Sequence, residues 1–396
     1  MADYLPRAPW TQRDDLHRMV DALGNAPDGT SLARWVGGAV RDGLLGEDAA
    51  DVDCATPLKP QDAMARLKRA GIRTVPTGID HGTVTALLPG GKVEITTLRR
   101  DVSTDGRRAT VEYASEWRDD AARRDFTINA LYADPRTLEI YDYFGGLADL
   151  AVRRVRFIGD ARQRIREDHL RILRYYRFQA RFGSALDNEA EEACAELAAT
   201  LKGLSRERVA MELLNLLGLP DPSETLLRME LRGVLGVVLP EVQREAIEAL
   251  PALIAAERQA TLAPQAIRRM AALLPPSPQV AESVAARLRL SRAQRDRLSC
   301  VAGRQADDAA NPLVLAYRCG TECAQDRLLL CGGDPAPLSD WEIPQLPLKG
   351  GEIVQRGVKA GPEVARILRA VEARWISEGF PGRERVLSLL EAELPA

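Results

Sequence analysis

Asp51 and Asp53 flank a single valine in the stretch DVDCATP (51–57). In an extended backbone alternate side chains share a face. At about 3.3 Å per residue the two Cα atoms then lie roughly 6–7 Å apart. Carboxylates that close repel unless one takes a proton or a cation lies between them. A divalent cation resolves the conflict, and an all-oxygen donor set favours Mg2+ or Mn2+. Such sites hold metal against phosphates and suit in-line displacement at phosphorus. D-x-D alone is also an ordinary polar turn, so its neighbours matter. Upstream lies GGAVRD (37–42). Gly37 and Gly38 let the backbone approach a triphosphate, and Arg41 can reach phosphate oxygens. The same glycines also suit a plain strand-to-helix turn. Glu94, in KVEITTL (92–98), is the candidate third carboxylate. The competing reading makes it a solvent-facing strand residue.

These groups need a frame. RWV (34–36) is a short apolar run ended by glycines, and AVRDGLLG (39–46) reads as a short helix stopped by Gly46. TVTALLPGGKVEITTLR (83–99) is two β-rich runs joined at Pro89–Lys92, and LYADP with EIYDYF suggests another strand pair. A mixed α/β region to about residue 150 follows. Beyond it the pattern is helical. REDHLRILRYYRFQARFG (166–183) spaces Leu170, Leu173 and Phe178 as one helix ending at Gly183, and SRERVAMELLNLLG (205–218) starts with Ser205 as its cap. Proline-rich joints at 262–266, 275–279 and 334–347 separate the later helices.

The length of 396 residues exceeds one core and predicts two or three domains. No apolar run is long enough to span a bilayer, and the N-terminus lacks a basic-then-apolar leader pattern, so a cytoplasmic protein is expected. A net charge of −3 excludes general affinity for polyanions, yet ten arginines face only Asp160, Glu167 and Asp168 between Arg153 and Arg181. That density points to phosphate or nucleic-acid contact as well as to a solvated face. The six cysteines are sparse and unpatterned. CGTEC (319–323) has no second pair at zinc spacing, so all six are expected to be reduced and to bind no metal.

GGAVRDGLLG, DVDCAT, HGTVTALL, VEITTLRRD, RRDFTINALY, YDYFGGLADL and REDHLRILRYYRF follow one another in this order. Together they resemble the class II tRNA nucleotidyltransferase / bacterial poly(A) polymerase family, and most of all its CCA-adding members. The resemblance is close over about 31–182 and weaker to about 245. It implies an α+β protein: a polymerase-beta-like nucleotidyltransferase head followed by an all-helical neck, body and tail. The corresponding organisation is a helical lead-in at 1–30, a catalytic head at 31–150, a neck and body binding nucleotide and RNA at 151–245, and a body and tail at 246–396. The resemblance further implies that Asp51 and Asp53 hold catalytic Mg2+ and that Gly38, Arg41 and Arg124 touch the nucleotide, with Asp125 and Asn129 near the ribose. Asp125 reads equally as a helix N-cap. Only three histidines occur and none forms a His-Asp doublet, so the phosphohydrolase domain of some relatives is expected to be absent.

On one continuous helix Asp168 and Arg171 would share a face. As an ion pair on a wet helix they would matter little. As a template they matter more. Asp offers acceptors and Arg offers donors, which matches the amino group and ring nitrogen that cytosine and adenine share. Guanine and uracil would set a keto oxygen against Asp168 and leave polar groups unpaired. The family assigns this role to its EDxxR motif, here Glu167, Asp168 and Arg171. It has Arg174 and Arg177 bind triphosphate and support the template. The expected reaction is attack of an RNA 3′-hydroxyl on the α-phosphate of CTP or ATP, with tRNA as acceptor and no part for DNA or membrane. Bacterial poly(A) polymerases share these motifs. The stretch 99–125 resembles the loop with which CCA- and A-adding members admit ATP, and the C-terminal LLEAELPA is acidic rather than basic. Both lean toward CCA addition. A non-catalytic RNA-binding protein on the same fold is the reading from another class.

Overall fold

The computed structural model describes residues 3–49, 51–105 and 108–394. Leu16, Met19, Val20 and Leu23 form one buried stripe on α1 (Asp14–Leu23), the spacing of an amphipathic helix. The buried β1 (Arg34–Val36) turns into α2 (Gly38–Leu44) at Gly37, whose φ of 69° and ψ of −125° suit glycine. β2 (Val52–Thr56), α3 (Pro60–Arg69) and β3 (Arg73–Gly78) follow. β4 (Thr83–Leu88) and β5 (Gly91–Thr97) form the hairpin expected across Pro89–Lys92.

β6 (Arg99–Asp105) and β7 (Arg108–Tyr113) pair as a separate two-stranded ribbon leading to α4 (Trp117–Ala122). This is the stretch likened to an ATP-admitting loop. Positions 106 and 107 and the side chains of 101–111 lie outside the described residues. β8 (Leu131–Ala133) and β9 (Ile140–Asp142) pair antiparallel, as LYADP and EIYDYF suggested, and α5 (Gly146–Ala151) follows. The main sheet has the order β3-β4-β5-β2-β1-β8-β9. Its β2–β5 pair is parallel and the others are antiparallel. Trp35 of β1 meets Trp10 edge to face at 5.9 Å, and both are buried.

Helices then take over: α6 (Ala161–Glu167), α7 (Arg171–Phe182), α8 (Asn188–Glu196), α9 (Arg206–Leu217), α10 (Ser223–Leu231) and α11 (Leu235–Val238). The single helix expected across 166–183 is two. Asp168 stands between them in extended geometry (φ −151°, ψ 104°), and its Oδ1 accepts the Leu170 N–H at 3.1 Å. A short acidic side chain that captures a nearby backbone N–H competes with helix continuation. Ser205 occupies the N-cap position of α9 but donates its hydroxyl to Glu207 rather than capping backbone N–H groups.

Contacts divide the chain into Met1–Glu248 and Ala249–Ala396, with the division inside α12 (Arg244–Gln259). The second unit contains α13 (Ala266–Leu273), α14 (Pro278–Arg287), α15 (Arg292–Ala302), α16 (Pro312–Cys319), α17 (Thr321–Leu330), α18 (Gly350–Gln355), α19 (Pro362–Ser377) and α20 (Arg383–Glu393). Ile367, Val371 and Trp375 of α19 pack with Val386, Leu389 and Leu390 of α20. The expectation of six reduced thiols fails at one pair, because Cys300 of α15 and Cys323 of α17 form a disulfide. Their sequence separation of 23 residues follows no motif, and only the packing of α15 on α17 brings them together. No helix among the described residues is long and apolar enough to cross a membrane.

Candidate active site

Asp51 ends the loop before β2, and Asp53 lies on β2 opposite Glu94 of β5. Both aspartates line one cleft of about 840 Å3 in the first unit, so the expected common face forms. Burial, then the charge of Glu94, raises the Asp53 pKa from 3.8 to about 6, against the pull of Arg124. Asp51 adds to the repulsion. A strand residue flanked by two like charges and desolvated on one side is a site that a divalent cation would stabilise. Glu94 is exposed and does not line the cleft. The ligand oxygens of Asp51, Asp53 and Glu94 do not gather within 4.8 Å of one another. Asp51 and Asp53 thus face the cleft together, and Glu94 stands outside its lining.

The α2 end of the cleft is formed by Gly37, Gly38 and Arg41. Arg41 is 4% exposed. It donates to Asp42 at 2.8 Å and to Asn129, and stacks over Phe182 at 4.4 Å. Its guanidinium is therefore fixed rather than reaching outward. Arg124 donates to Tyr132 and to Asp120, both at 3.1 Å. Burial pushes Asp120 up, but Arg124 and Arg123 outweigh it and hold the carboxyl at about 2.

Asp125 is no N-cap, since Phe126 takes that position in the turn that follows. It is a buried junction instead. Its carboxylate accepts from Asn129 at 3.0 Å and from Arg174 at 2.8 Å. Burial raises its pKa, yet Arg174 and Asn129 bring it to about 2. Arg174 also lies 3.7 Å from Glu212 of α9, which accepts from Arg177 at 2.6 Å. A run of charge-assisted contacts thus ties the sheet side of the cleft to α7 and α9.

Asp168 and Arg171 both line the cleft, but not as one helical face: Asp168 lies outside the helix that Arg171 begins, and the Arg171 backbone N–H donates to the Asp168 carbonyl at 3.0 Å. Asp168 pairs with Arg208 of α9 at 2.7 Å. Arg171 donates to Glu167 at 2.6 Å and to the Arg164 carbonyl at 2.7 Å. Each is thereby oriented by a third group while keeping acceptor or donor capacity spare. The dense arginines are mostly matched: Arg154 and Arg156 with Asp149, Arg162 with Glu196, and Arg181 with Asp42 and Glu47.

Sequence reading did not single out Arg123, Arg208, Met211 and Glu212, and it took Leu170 and Phe178 only as helix-spacing residues; all six also line the cleft. Arg208, Met211 and Glu212 recur at i, i+3 and i+4 in the α9 segment, the spacing of one helical face, and that was the available signal.

Residues 33–156 match the family described as Poly A polymerase head domain, and residues 184–245 match that described as the probable RNA and SrmB-binding site of polymerase A. A CCA tRNA nucleotidyltransferase 1, mitochondrial, of Mus musculus is 36% identical over 368 residues, covering 88% of this chain and 83% of the relative. The chain belongs to the tRNA nucleotidyltransferase / poly(A) polymerase family. A CCA-adding enzyme of Geobacillus stearothermophilus is 39% identical over 213 residues, 52% of each chain. The solved structure of the Bacillus stearothermophilus CCA-adding enzyme in complex with CTP superposes with a TM-score of 0.78 at 27% identity, covering 98% of both chains. Enzymes of this family depend on metal for nucleotidyl transfer, which accords with the strained carboxylates of the cleft.

Proposed function

We propose that this chain adds CCA to the 3′ end of tRNA from CTP and ATP, releasing pyrophosphate, and does so in the cytoplasm. The observation that carries this reading is a single cleft holding the Asp51/Asp53 pair and the separately oriented Asp168 and Arg171. The named relatives and the CTP-bound structural neighbour support the same reading.

Asp51 and Asp53 would hold Mg2+, which when bound supplies charge neutralisation at the α-phosphate and a lowered pKa for the attacking hydroxyl. The protein's own part is positioning and fixed charge. Arg124, Arg174 and Arg177 present cationic groups to the triphosphate, while Asp120, Asp125 and Glu212 hold them in place. Arg41, locked by Asp42 and Asn129, sets the floor under Gly38. Asp168 accepts the amino proton of cytosine or adenine, and Arg171 donates to the ring nitrogen beside it. Glu167 and Arg208 keep those two edges in register before the base arrives.

The test supplies tRNA lacking its 3′ end, with each nucleoside triphosphate in turn. Two C and then one A, with GTP and UTP refused, is the expected product. Long A tracts would mean poly(A) synthesis, and binding without incorporation in any divalent metal would mean a non-catalytic RNA-binding protein.

A further inference from the structure

Three sulfurs gather in the second unit, far along the sequence from every residue of the cleft. Cys300 lies on α15, Cys319 ends α16, and Cys323 sits in the first turn of α17. The turn at Gly320, with φ 84°, folds α17 back so that Cys319 and Cys323 approach each other. All three sulfurs lie within 4.8 Å of one another. The bond joins Cys300 to Cys323, while the Cys319 thiol is free and donates to the Leu315 carbonyl at 3.1 Å. Exposure differs among them. Cys323 is buried, whereas Cys300 and Cys319 are both half-open.

A free thiol beside a disulfide is the geometry of thiol–disulfide exchange, which proceeds by thiolate attack on one sulfur and departure of the other. We propose that Cys300, Cys319 and Cys323 form an exchange site whose bond shifts between Cys300–Cys323 and Cys300–Cys319, and through which small thiols and disulfides of the glutathione type enter and leave. In the shift, the Cys319 thiolate attacks Cys300 Sγ and the Cys300–Cys323 bond breaks. Cys323 departs as a thiolate and takes up the proton that Cys319 gave, so no oxidant is consumed. The bond passes from a pair with one buried sulfur to a pair with both half-open, where an external thiol can attack. Formation runs the other way. Two protein thiols and one glutathione disulfide give one protein disulfide and two glutathione thiols, through a mixed disulfide. Burial holds the Cys319 thiol above its ordinary range, with the Arg327 guanidinium working against it and Asp308 with it. Exchange is therefore slow at neutral pH and is followed over minutes to hours.

The test uses the full chain, reduced and then equilibrated with glutathione disulfide. Free thiols are capped with N-ethylmaleimide and the cross-linked peptides are mapped by mass spectrometry. Both Cys300–Cys323 and Cys300–Cys319 peptides are expected. In Cys319→Ser only the first survives, and reduced glutathione opens it at least about tenfold more slowly than in the wild type, the intramolecular step having been removed. Cys319→Ala is run beside it, and far-ultraviolet circular dichroism checks that both variants fold. If neither folds, the wild-type peptide map decides alone. The proposal is overturned if the wild type yields Cys300–Cys323 alone, if Cys319→Ser is reduced at the wild-type rate, or if all six thiols stay open to capping throughout. Zinc retained by the reduced chain with these three thiols protected would overturn it as well.

Discussion

Asp53→Asn separates stability from catalysis in opposite directions. The Asp53 carboxyl is displaced from 3.8 to about 6, first by burial and then by Glu94. Each tenfold change in proton affinity is about 1.4 kcal/mol, so the ionised form is disfavoured by about 3 kcal/mol at most. Water in the cleft screens part of this, which leaves ~1–3 kcal/mol. The sign follows from linkage. The folded protein holds the proton more tightly than the unfolded chain, so this contribution is fully present below pH 3.8 and is lost as the pH rises through about 6. At pH 8 and without divalent metal, the amide variant lacks the buried charge and melts higher. For a unit of this size the rise is on the order of 3–10 °C. Adding Mg2+ raises the wild-type melting temperature at pH 8 and leaves the variant unmoved, while CMP incorporation by the variant falls to background. Differential scanning fluorimetry at pH 5 and pH 8, with EDTA or Mg2+, reads all of this. An Asp53→Asn variant that melts at or below the wild type in EDTA at pH 8 refutes the electrostatic account. Wild-type incorporation by the variant refutes the metal assignment.

Arg208→Ala removes the partner that orients Asp168; incorporation of GMP and UMP relative to CMP and AMP should rise about tenfold, while stability changes by no more than about 0.5 kcal/mol for a half-exposed pair. Glu212→Ala strips the buried acid from Arg174 and Arg177; urea denaturation should show a loss of about 3 kcal/mol, with Glu212→Gln losing less, and the nucleotide KM should rise. Glu94→Gln removes the second-largest contribution to the raised Asp53 pKa; the acid limb of the pH–rate profile should move to lower pH with the plateau rate kept, whereas a fall of the plateau itself would show that Glu94 binds the metal.

Local signals carried most of the catalytic half. The β-rich runs TVTALL and KVEITT, the turn at Pro89–Lys92 and the D-x-D spacing are each fixed within a few residues; the two runs form the hairpin, and both aspartates line the cleft. One failure was local and the others depended on contacts between distant segments. The Leu170–Leu173–Phe178 spacing supports a helix across 166–183, but an Asx interaction at Asp168 breaks it. The side-chain partner of Asp168 is Arg208, forty residues on, rather than the nearer Arg171. Arg41 lines the cleft as its motif suggested, but sequence could not show that Asn129 and Phe182 would hold its guanidinium. Cys300 and Cys323 meet only because two helices pack.

The parallel pairing of β2 with β5 also bears on how the protein is made. Asp53 and Glu94 become neighbours only after α3, β3 and β4 have been laid down between them, and a parallel register cannot close through a tight turn. Such non-local pairings are slow to form. On the ribosome the carboxylate pair therefore has no neighbouring Glu94 strand until residue 97 has emerged and the hairpin has docked. A nascent chain arrested before that point would carry the DVD segment with the mutual repulsion of Asp51 and Asp53 but without the added charge of Glu94.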